Sequence, residues 1–420
     1  MKMVRNPTPR FDAAFKGWRL FVLAVLATLV LGTAALVVVP VVSPAAGADM
    51  ADVLRSVVGP APVAQLESIS FWMHDLINRN LASAGLAAPR VAWASGTGSN
   101  PMNLPGGINI LHGKAAAKVE PTAQPRTSGS STSDAAPVPG ALSAAVLTAS
   151  PQIGWQAYGP EVNGIPALAR SMIMLDPQRS YAGVALVRMD LSVLSLHMTP
   201  GTIEPAHPSG IDQKLPSIGM VPPQADSTLV AAFNGGFKAV HGHYGMMVNG
   251  ITLLPAQAGL ATLAIYQDGR VRIGAWGTDI TQTADLVSFR QNCPPLIDNG
   301  AINPLLSSDA RGRWGFTNNQ DITWRTAVGI TRNGRFLIYA VGNGTNAEFL
   351  AQALQQAGAN SAMQLDINQY YAHFVTYGPA TASSSNGDNL QAERLLQEMI
   401  DERQLYLTPG ARDFFYVTAR

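Results

Sequence analysis

Hydrophobic positions fall into three textures along the chain. Residues 20–42 form a run without a charged side chain over 23 positions, long enough to cross a bilayer as a helix of about 20 residues. Residues 49–82 place Val53, Leu54, Val57 and Val58 before Gly59-Pro60. Val63, Leu66, Ile69, Phe71, Trp72, Leu76 and Ile77 follow, mostly at helical spacings, which predicts two amphipathic helices. From Ile153 onward, short apolar runs alternate with turn residues, the signature of strands.

Runs at 172–175 and 181–191 read as strands, and the alternation at 192–198 continues the second. Residues 199–228 hold six prolines and read as loop. A strand ends at Asn234. Residues 260–267 and 271–276 form a hairpin on Asp268-Gly269, and 286–289 and 295–297 are short strands. A hairpin over 325–341 turns at Asn333-Gly334. A helix over 347–357 is capped by Gly358. Residues 363–366, 373–377 and 414–417 are strands, and 389–402 has helical spacing with Leu395, Leu396 and Met399 on one face. Many strands and few helices predict an α+β domain over 152–420, with a mixed, largely antiparallel sheet.

Composition adds the outline around that domain. Only 13% of the 420 residues are charged, against about 25% in ordinary globular chains. Part of the deficit is the apolar run. More comes from residues 83–151, rich in Ala, Gly, Ser and Pro, a linker that cannot bury enough surface to offset chain entropy. Within it, 106–112 reads as a short strand or a sticking segment. A net charge of +1, with no basic stripe, excludes a nucleic-acid partner. Cys293 is the single cysteine, so no intrachain disulfide forms, and no His or Cys stands near it in sequence. It reads as a structural thiol.

Residues 1–19 carry Lys2, Arg5, Arg10, Lys16 and Arg19 against Asp12. Positive charge before an apolar span places 1–19 in the cytoplasm, 20–42 in the cell membrane as a single-pass anchor and the rest outside. A cleaved signal peptide ending at Ala46-Gly47-Ala48 is the rival, but the apolar run exceeds the usual 7–15 residues. The helices of 49–82 then lie on the membrane surface, pair with another chain or pack on the main domain.

The chemistry-bearing stretch follows the apolar residues 229–233. There Asn234-Gly235-Gly236 ends a strand, with Lys238, His241 and His243 close behind. Paired glycines let another group approach the backbone, although Asn-Gly is also an ordinary turn. Arg325-Thr326-Ala327, Leu365-Asp366 and the helix at 347–357 follow in order. These blocks resemble the phosphodiester glycosidase domain family, over roughly 155–420. Where that family usually continues Leu-Asp with a glycine-rich, Ser-containing loop, this chain has Ile367-Asn368-Gln369-Tyr370-Tyr371-Ala372-His373. Side chains stand there in place of bare backbone, which implies a changed substrate or lost activity.

The resemblance implies removal of a sugar joined through its anomeric carbon to a phosphodiester. It gives Asp366 as catalytic carboxylate, Arg325 as a two-pronged phosphate clamp and Asn234 with the Gly235 and Gly236 amides as holders of phosphate or sugar oxygens. The plainer roles are a turn cap or ion-pair partner for Asp366, and a structural ion pair for Arg325. Asp298 is a second carboxylate or an Asx turn. Lys238 supplies positive charge or is solvated. His241 and His243, two apart on a strand, share a face and contact sugar, move a proton, ligate a metal with Asp366 or His373, or sit on the surface. No metal set is assigned and no cofactor is named. Tyr370 and Tyr371 stack on a ring or fill the vacated loop. The long loop 298–324, with Arg311, Arg313 and Trp314, is a lid with an aromatic platform, or solvated charges and a packing tryptophan. Two functions stand: an anchored extracytoplasmic hydrolase acting on a glycan or sugar-phosphate, and a non-catalytic glycan-binding or exopolysaccharide-assembly protein.

Overall fold

The structure, a computed structural model, describes residues 44–86, 153–179, 181–206, 215, 218–307, 314–315, 318–379, 390–401 and 404–420. The expected anchor at 20–42, the segment at 106–112, nearly all of the linker, and Arg311 and Arg313 lie outside them. No helix among the described residues is long and apolar enough to cross a membrane.

Three sheets form the domain. The largest has eight strands: β1 (Gln156–Val162), β2 (Ile165–Ile173), β3 (Val184–Asp190), β14 (Phe336–Thr345), β13 (Thr323–Thr331), β15 (Ala359–Gln364), β11 (Ile297–Asp298) and β12 (Ala301–Ile302), in that spatial order. The second runs β7 (Ile251–Leu254), β6 (Met246–Val248), β10 (Leu286–Gln291), β8 (Ala261–Tyr266) and β9 (Val271–Ala275). The third runs β17 (Leu390–Arg394), β16 (Phe374–Pro379), β5 (Leu229–Asn234), β18 (Phe414–Ala419) and β4 (Leu194–Thr199). Every ladder between these strands is antiparallel. The architecture is therefore α+β, with an antiparallel rather than a mixed arrangement.

The large sheet is buried on both faces, which explains its unbroken apolar runs. In β14, Leu337, Tyr339 and Val341 enter the main core with Phe233 of β5 and Leu263 of β8. Their neighbours Ile338 and Ala340 face the other way, onto a helix at Ala347–Gln356. That helix buries Ala347, Leu350, Ala351 and Leu354, the positions of one helical face. The Asn346 side chain accepts the Phe349 N–H at 2.8 Å as its N-cap, and Gly358 follows it at φ 94°.

Three elements differ from the sequence reading. Residues 192–198 do not prolong β3: Asp190 accepts the Ser192 N–H and hydroxyl in a turn, and the chain leaves for the third sheet as β4. Residues 390–394 are a strand rather than a helix, because the ladder to β16 takes their backbone groups. Leu395, Leu396 and Met399 still reach the main core. Trp314 is fully buried beside Cys293 and Leu306, so it packs the interior and offers no platform.

Before the domain come α1 (Pro44–Val58) and α2 (Pro60–Ser83), joined at Gly59 with φ 85°; the Ala347–Gln356 helix is α3. The α1–α2 hairpin packs on the domain through polar contacts. Asp75 pairs with Arg179 at 2.6 Å, and the Ser68 hydroxyl donates to Asp321 at 2.8 Å.

At the centre of the main core, Phe233 lies 5.3 Å from the rings of Tyr339 and Phe415 and 5.9 Å from that of Phe374. Phe233→Ala is expected to lower unfolding free energy by about 3–5 kcal/mol. Urea titration followed by far-ultraviolet circular dichroism will show it as a lower midpoint at an unchanged slope.

Candidate active site

The site forms where β5, β15 and β18 meet. Leu365 donates its N–H to the Thr326 carbonyl, and Asp366 donates to the Gly235 carbonyl at 3.0 Å. The Thr326 hydroxyl donates to the Asp366 carbonyl at 2.5 Å. The end of β15 is thus laced to the end of β5, and Asp366 occupies the crossing.

Asn234 is the bolt of that crossing. Its Nδ2 donates to Thr326 Oγ1 at 2.9 Å and to the Gly235 carbonyl at 3.2 Å. Its Oδ1 accepts from the Tyr339 hydroxyl at 2.9 Å and from the His373 N–H at 3.3 Å. Both amide hydrogens and both lone pairs are used. The side chain is buried and holds the sheets together, instead of offering groups to a ligand.

The two glycines are explained by a buried ion pair. Arg290 and Asp413 are both sealed from solvent and meet at 2.8 Å. Arg290 also donates to the carbonyls of Tyr244, Gln291 and Phe237. Asp413 accepts the Gly236 N–H at 3.1 Å through its carboxylate, and its carbonyl accepts the Gly235 N–H at 3.1 Å. A Cβ on Gly235 would fall inside the Asp413 carboxylate, and one on Gly236 would stand 2.9 Å from the Arg290 guanidinium. The amides expected to cradle a phosphate are therefore donated to Asp413.

Asp366 is buried and paired with Arg412. Its other oxygen accepts the Asn368 N–H at 2.9 Å, an Asx turn that starts the loop over 367–373. Arg412 donates to the Gly236 carbonyl at 2.8 Å and lies 4.5 Å over the Tyr371 ring. Burial pulls the Arg412 pKa down, but Asp366 and Asp413 outweigh it and raise it above the usual value. Its Nε is buried with no hydrogen-bond partner among the described residues. An unmade bond of this kind costs about 1–3 kcal/mol unless a ligand satisfies it.

Two cavities adjoin this pair. One, of about 40 Å³, is bounded by Asn234, Gly236, Asp366, Tyr371 and Arg412. The other, of about 200 Å³, lies between the domain and the α1–α2 hairpin, and Asp366, Arg412, Lys238, His241 and Trp324 line it. From the hairpin, Asp52 pairs with Lys238 and lies 3.4 Å from His241 Nε2. Burial would raise the Asp52 pKa, but hydrogen bonds from His241 and Lys238 prevail and hold it below the carboxylate range. On the other side of the loop, the Glu204 carboxylate accepts the Ala239 N–H at 2.8 Å and fixes the turn that carries Lys238.

Several expected participants lie elsewhere. Arg325 is fully buried; it donates to Gln364 Oε1 at 3.0 Å and to the carbonyls of Asn318 and Asp321. Burial lowers its pKa to about 10. It braces the cavity wall at 318–324 and clamps no phosphate. His241 and His243 are not on a strand: Ala239–His241 is a tight 3-10 turn, and His243 stands exposed at φ 51°. Asp298 is exposed at the sheet edge and accepts from Asn299 at 3.0 Å, outside both cavities. Tyr370 meets Tyr371 edge to face at 5.0 Å; of the two, Tyr371 borders a cavity. Arg412, Asp413, Arg290 and Asp52 were not singled out from sequence. One signal was available: Arg412-Asp413, a charged pair directly before the apolar run of β18.

Residues 227–366 match the phosphodiester glycosidase family. The match opens just before β5 and closes on Asp366, so it takes in Asn234, both glycines, Lys238 and Arg325. It ends before Arg412. No curated protein matches the chain. Among solved structures, the zebrafish N-acetylglucosamine-1-phosphodiester alpha-N-acetylglucosaminidase catalytic domain, auto-inhibited by pro-peptide, shares 19% identity at a TM-score of 0.40. That similarity covers 63% of this chain and 87% of that one. A hypothetical protein from Synechocystis shares 15% at a TM-score of 0.31, over 62% and 64%. At such identities and scores neither neighbour fixes the role of any residue. The family match supports a glycosidase-like function.

Two expectations follow. Asp413→Asn leaves the buried Arg290 charge uncompensated and is expected to cost about 3–5 kcal/mol, seen as a lower unfolding midpoint; the pair of changes Arg290→Met with Asp413→Leu should cost less than the sum of its parts. The second concerns His373, which sits behind Asn234. Its Nε2 lies 2.8 Å from the Ile400 carbonyl and its Nδ1 has no partner among the described residues. Burial depresses its pKa to about 4. Below about 6.5 the unfolded chain takes up a proton that the fold refuses, so stability is complete above that pH and falls as pH drops toward 4, by up to about 3 kcal/mol. Chemical denaturation between pH 7 and 4 should show that loss, and His373→Gln should flatten it.

Proposed function

We propose that the domain is a hydrolase that cleaves a sugar-1-phosphodiester linkage in a glycan or envelope polymer, held at the cell membrane by residues 20–42 with the domain outside the cytoplasm. The observation that carries the reading is the buried Asp366–Arg412 pair beside two cavities, with an unsatisfied Arg412 N–H. The family match over 227–366 supports it.

The chemistry asks for little acid. The leaving group is a phosphate monoester with a second pKa of about 6, so it departs with little protonation. The protein must neutralise the diester and stabilise an oxocarbenium-like centre. Arg412 and Lys238 supply fixed positive charge, and His241 adds a hydrogen-bonding ring. Asp366 is the carboxylate for the sugar carbon. Asp52 now holds Lys238 and His241 in the manner a substrate phosphate would. An incoming anion therefore competes with the hairpin for the same two groups.

A second reading has its own support. The Gly235 and Gly236 amides are engaged by Asp413, and Asp366 already holds both Arg412 and the Asn368 N–H. A site so saturated suits glycan binding without turnover.

The test uses the full chain in lipid nanodiscs and a panel of sugar-1-phosphodiesters, sugar nucleotides included, with released sugar as the readout. Asp366→Asn is expected to lose about 10²–10⁴-fold in kcat. Arg412→Lys keeps the charge, loses the planar fork and should raise KM. Asp52→Ala should raise kcat/KM by freeing Lys238 and His241. A folded wild-type chain that turns over no member sinks the hydrolase. Glycan retention that survives Asp366→Asn, without turnover, establishes the second reading in its place.

A further inference from the structure

The α1–α2 hairpin carries exposed apolar side chains on its outer face, although its inner face already rests on the domain. Its charges face inward. Asp52 meets Lys238, Asp75 meets Arg179, and Arg55 pairs with Asp52 and Glu67. Val63 is buried, and Leu66 and Phe71 line the cavity toward the domain, but other large apolar side chains face outward. On α1, Val53 and Val57, one turn apart, are 65% and 77% exposed. On α2, Ile69, Trp72 and Leu76 recur at helical spacing and are 53%, 60% and 38% exposed, with Ile77 beside them. On α2 these side chains form an outer stripe on one helical face, where soluble surfaces more often scatter them singly.

We propose that this outer stripe lies on the lipid surface of the membrane, so that the hairpin is a layer between the bilayer and the candidate site. The proposal rests on the anchor proposed above. The charge-free run ends at residue 42 and α1 begins at Pro44. Two residues reach at most about 7 Å, so a chain leaving the bilayer at 42 starts α1 at the level of the lipid headgroups. The stripe has the chemistry of that depth. Trp72 is the side chain favoured at membrane–water interfaces. The two acids of α2, Glu67 and Asp75, are the ones turned inward to Arg55 and Arg179. Arg79, bonded to Asp75 at 3.3 Å, is its single Arg or Lys. Contact is therefore apolar rather than electrostatic, and neutral phosphatidylcholine is a sufficient surface for it.

The experiment places a nitroxide on the full chain in phosphatidylcholine nanodiscs, at Ile69→Cys, Trp72→Cys or Leu76→Cys, one at a time. Asn333→Cys, on the β13–β14 turn, is the aqueous control. Ile69→Cys and Leu76→Cys leave Trp72 in place, and native Cys293 is buried. Collision rates with oxygen and with a water-soluble nickel chelate are read by electron paramagnetic resonance. The oxygen-to-nickel ratio is expected to be several-fold higher on the stripe than at Asn333→Cys, and unchanged in high salt. A stripe label as open to nickel as the control, on a chain retained in the discs, overturns this proposal and leaves the anchor standing. A chain that leaves the discs overturns both. Immobile stripe labels shielded from both reagents, with dipolar broadening between copies, overturn it in favour of a second copy of the chain. Turnover enters none of these readings, so the fate of the hydrolase is decided separately.

Discussion

The buried ion pair between Arg290 and Asp413 is the constraint around which the molecule is arranged. Such a pair is costly to desolvate and survives only when every remaining lone pair and proton is matched. Here three carbonyls and the Gly236 amide complete the match. The pair joins β10 of the second sheet to the first residue before β18 of the third, and it lies flush against the backbone leaving β5. That closeness requires glycine at 235 and 236, and it draws Arg412 into place beside Asp366.

From this lock follows the electrostatic character of the site. Asp366 and Arg412 are neighbours of the lock and inherit its lack of solvent. A carboxylate and a guanidinium so placed interact strongly, and each is kept in position by the other. Asn234, Thr326 and Tyr339 fix the same crossing from beneath, through hydrogen bonds that leave Asn234 nothing to offer a guest. The polar network thus divides in two. One set of groups is saturated and structural. A smaller set, Arg412, Lys238 and His241 with Asp366, borders open volume.

The hairpin complicates that volume. It meets the domain with ion pairs and with Val63, Leu66 and Phe71, and leaves Val53, Val57, Ile69, Trp72 and Leu76 exposed on its outer side. Its Asp52 pairs with Lys238 and lies beside His241, two of the groups that border the cavity. Beside those apolar contacts, Asp52 holds Lys238 and His241, so an anion reaching these two groups would compete with a carboxylate.

Residue patterns alone determined the strand-rich class, the β8–β9 and β13–β14 hairpins, α3 with its glycine cap, and the two N-terminal helices. In each case the spacing of apolar positions and a local turn residue decide the element, and both are written along the chain. The ordered blocks from Asn234 to Asp366 also carried the family likeness. Only the tertiary structure decided what the polar residues do. Arg325 looked like a clamp because an arginine at a strand end is equally suited to a ligand or to carbonyls; its burial among Asn318, Asp321 and Gln364 depends on a loop seven residues away and a strand 39 residues on. Arg412 and Asp413 acquire their roles from partners 46 and 123 residues distant. Residues 390–394 have helical spacing yet pair as a strand, because β16 offers an open ladder. Hydrophobic periodicity is a local property and is legible in order; charge pairing and hydrogen-bond satisfaction are set by whichever distant groups the folded chain brings within reach.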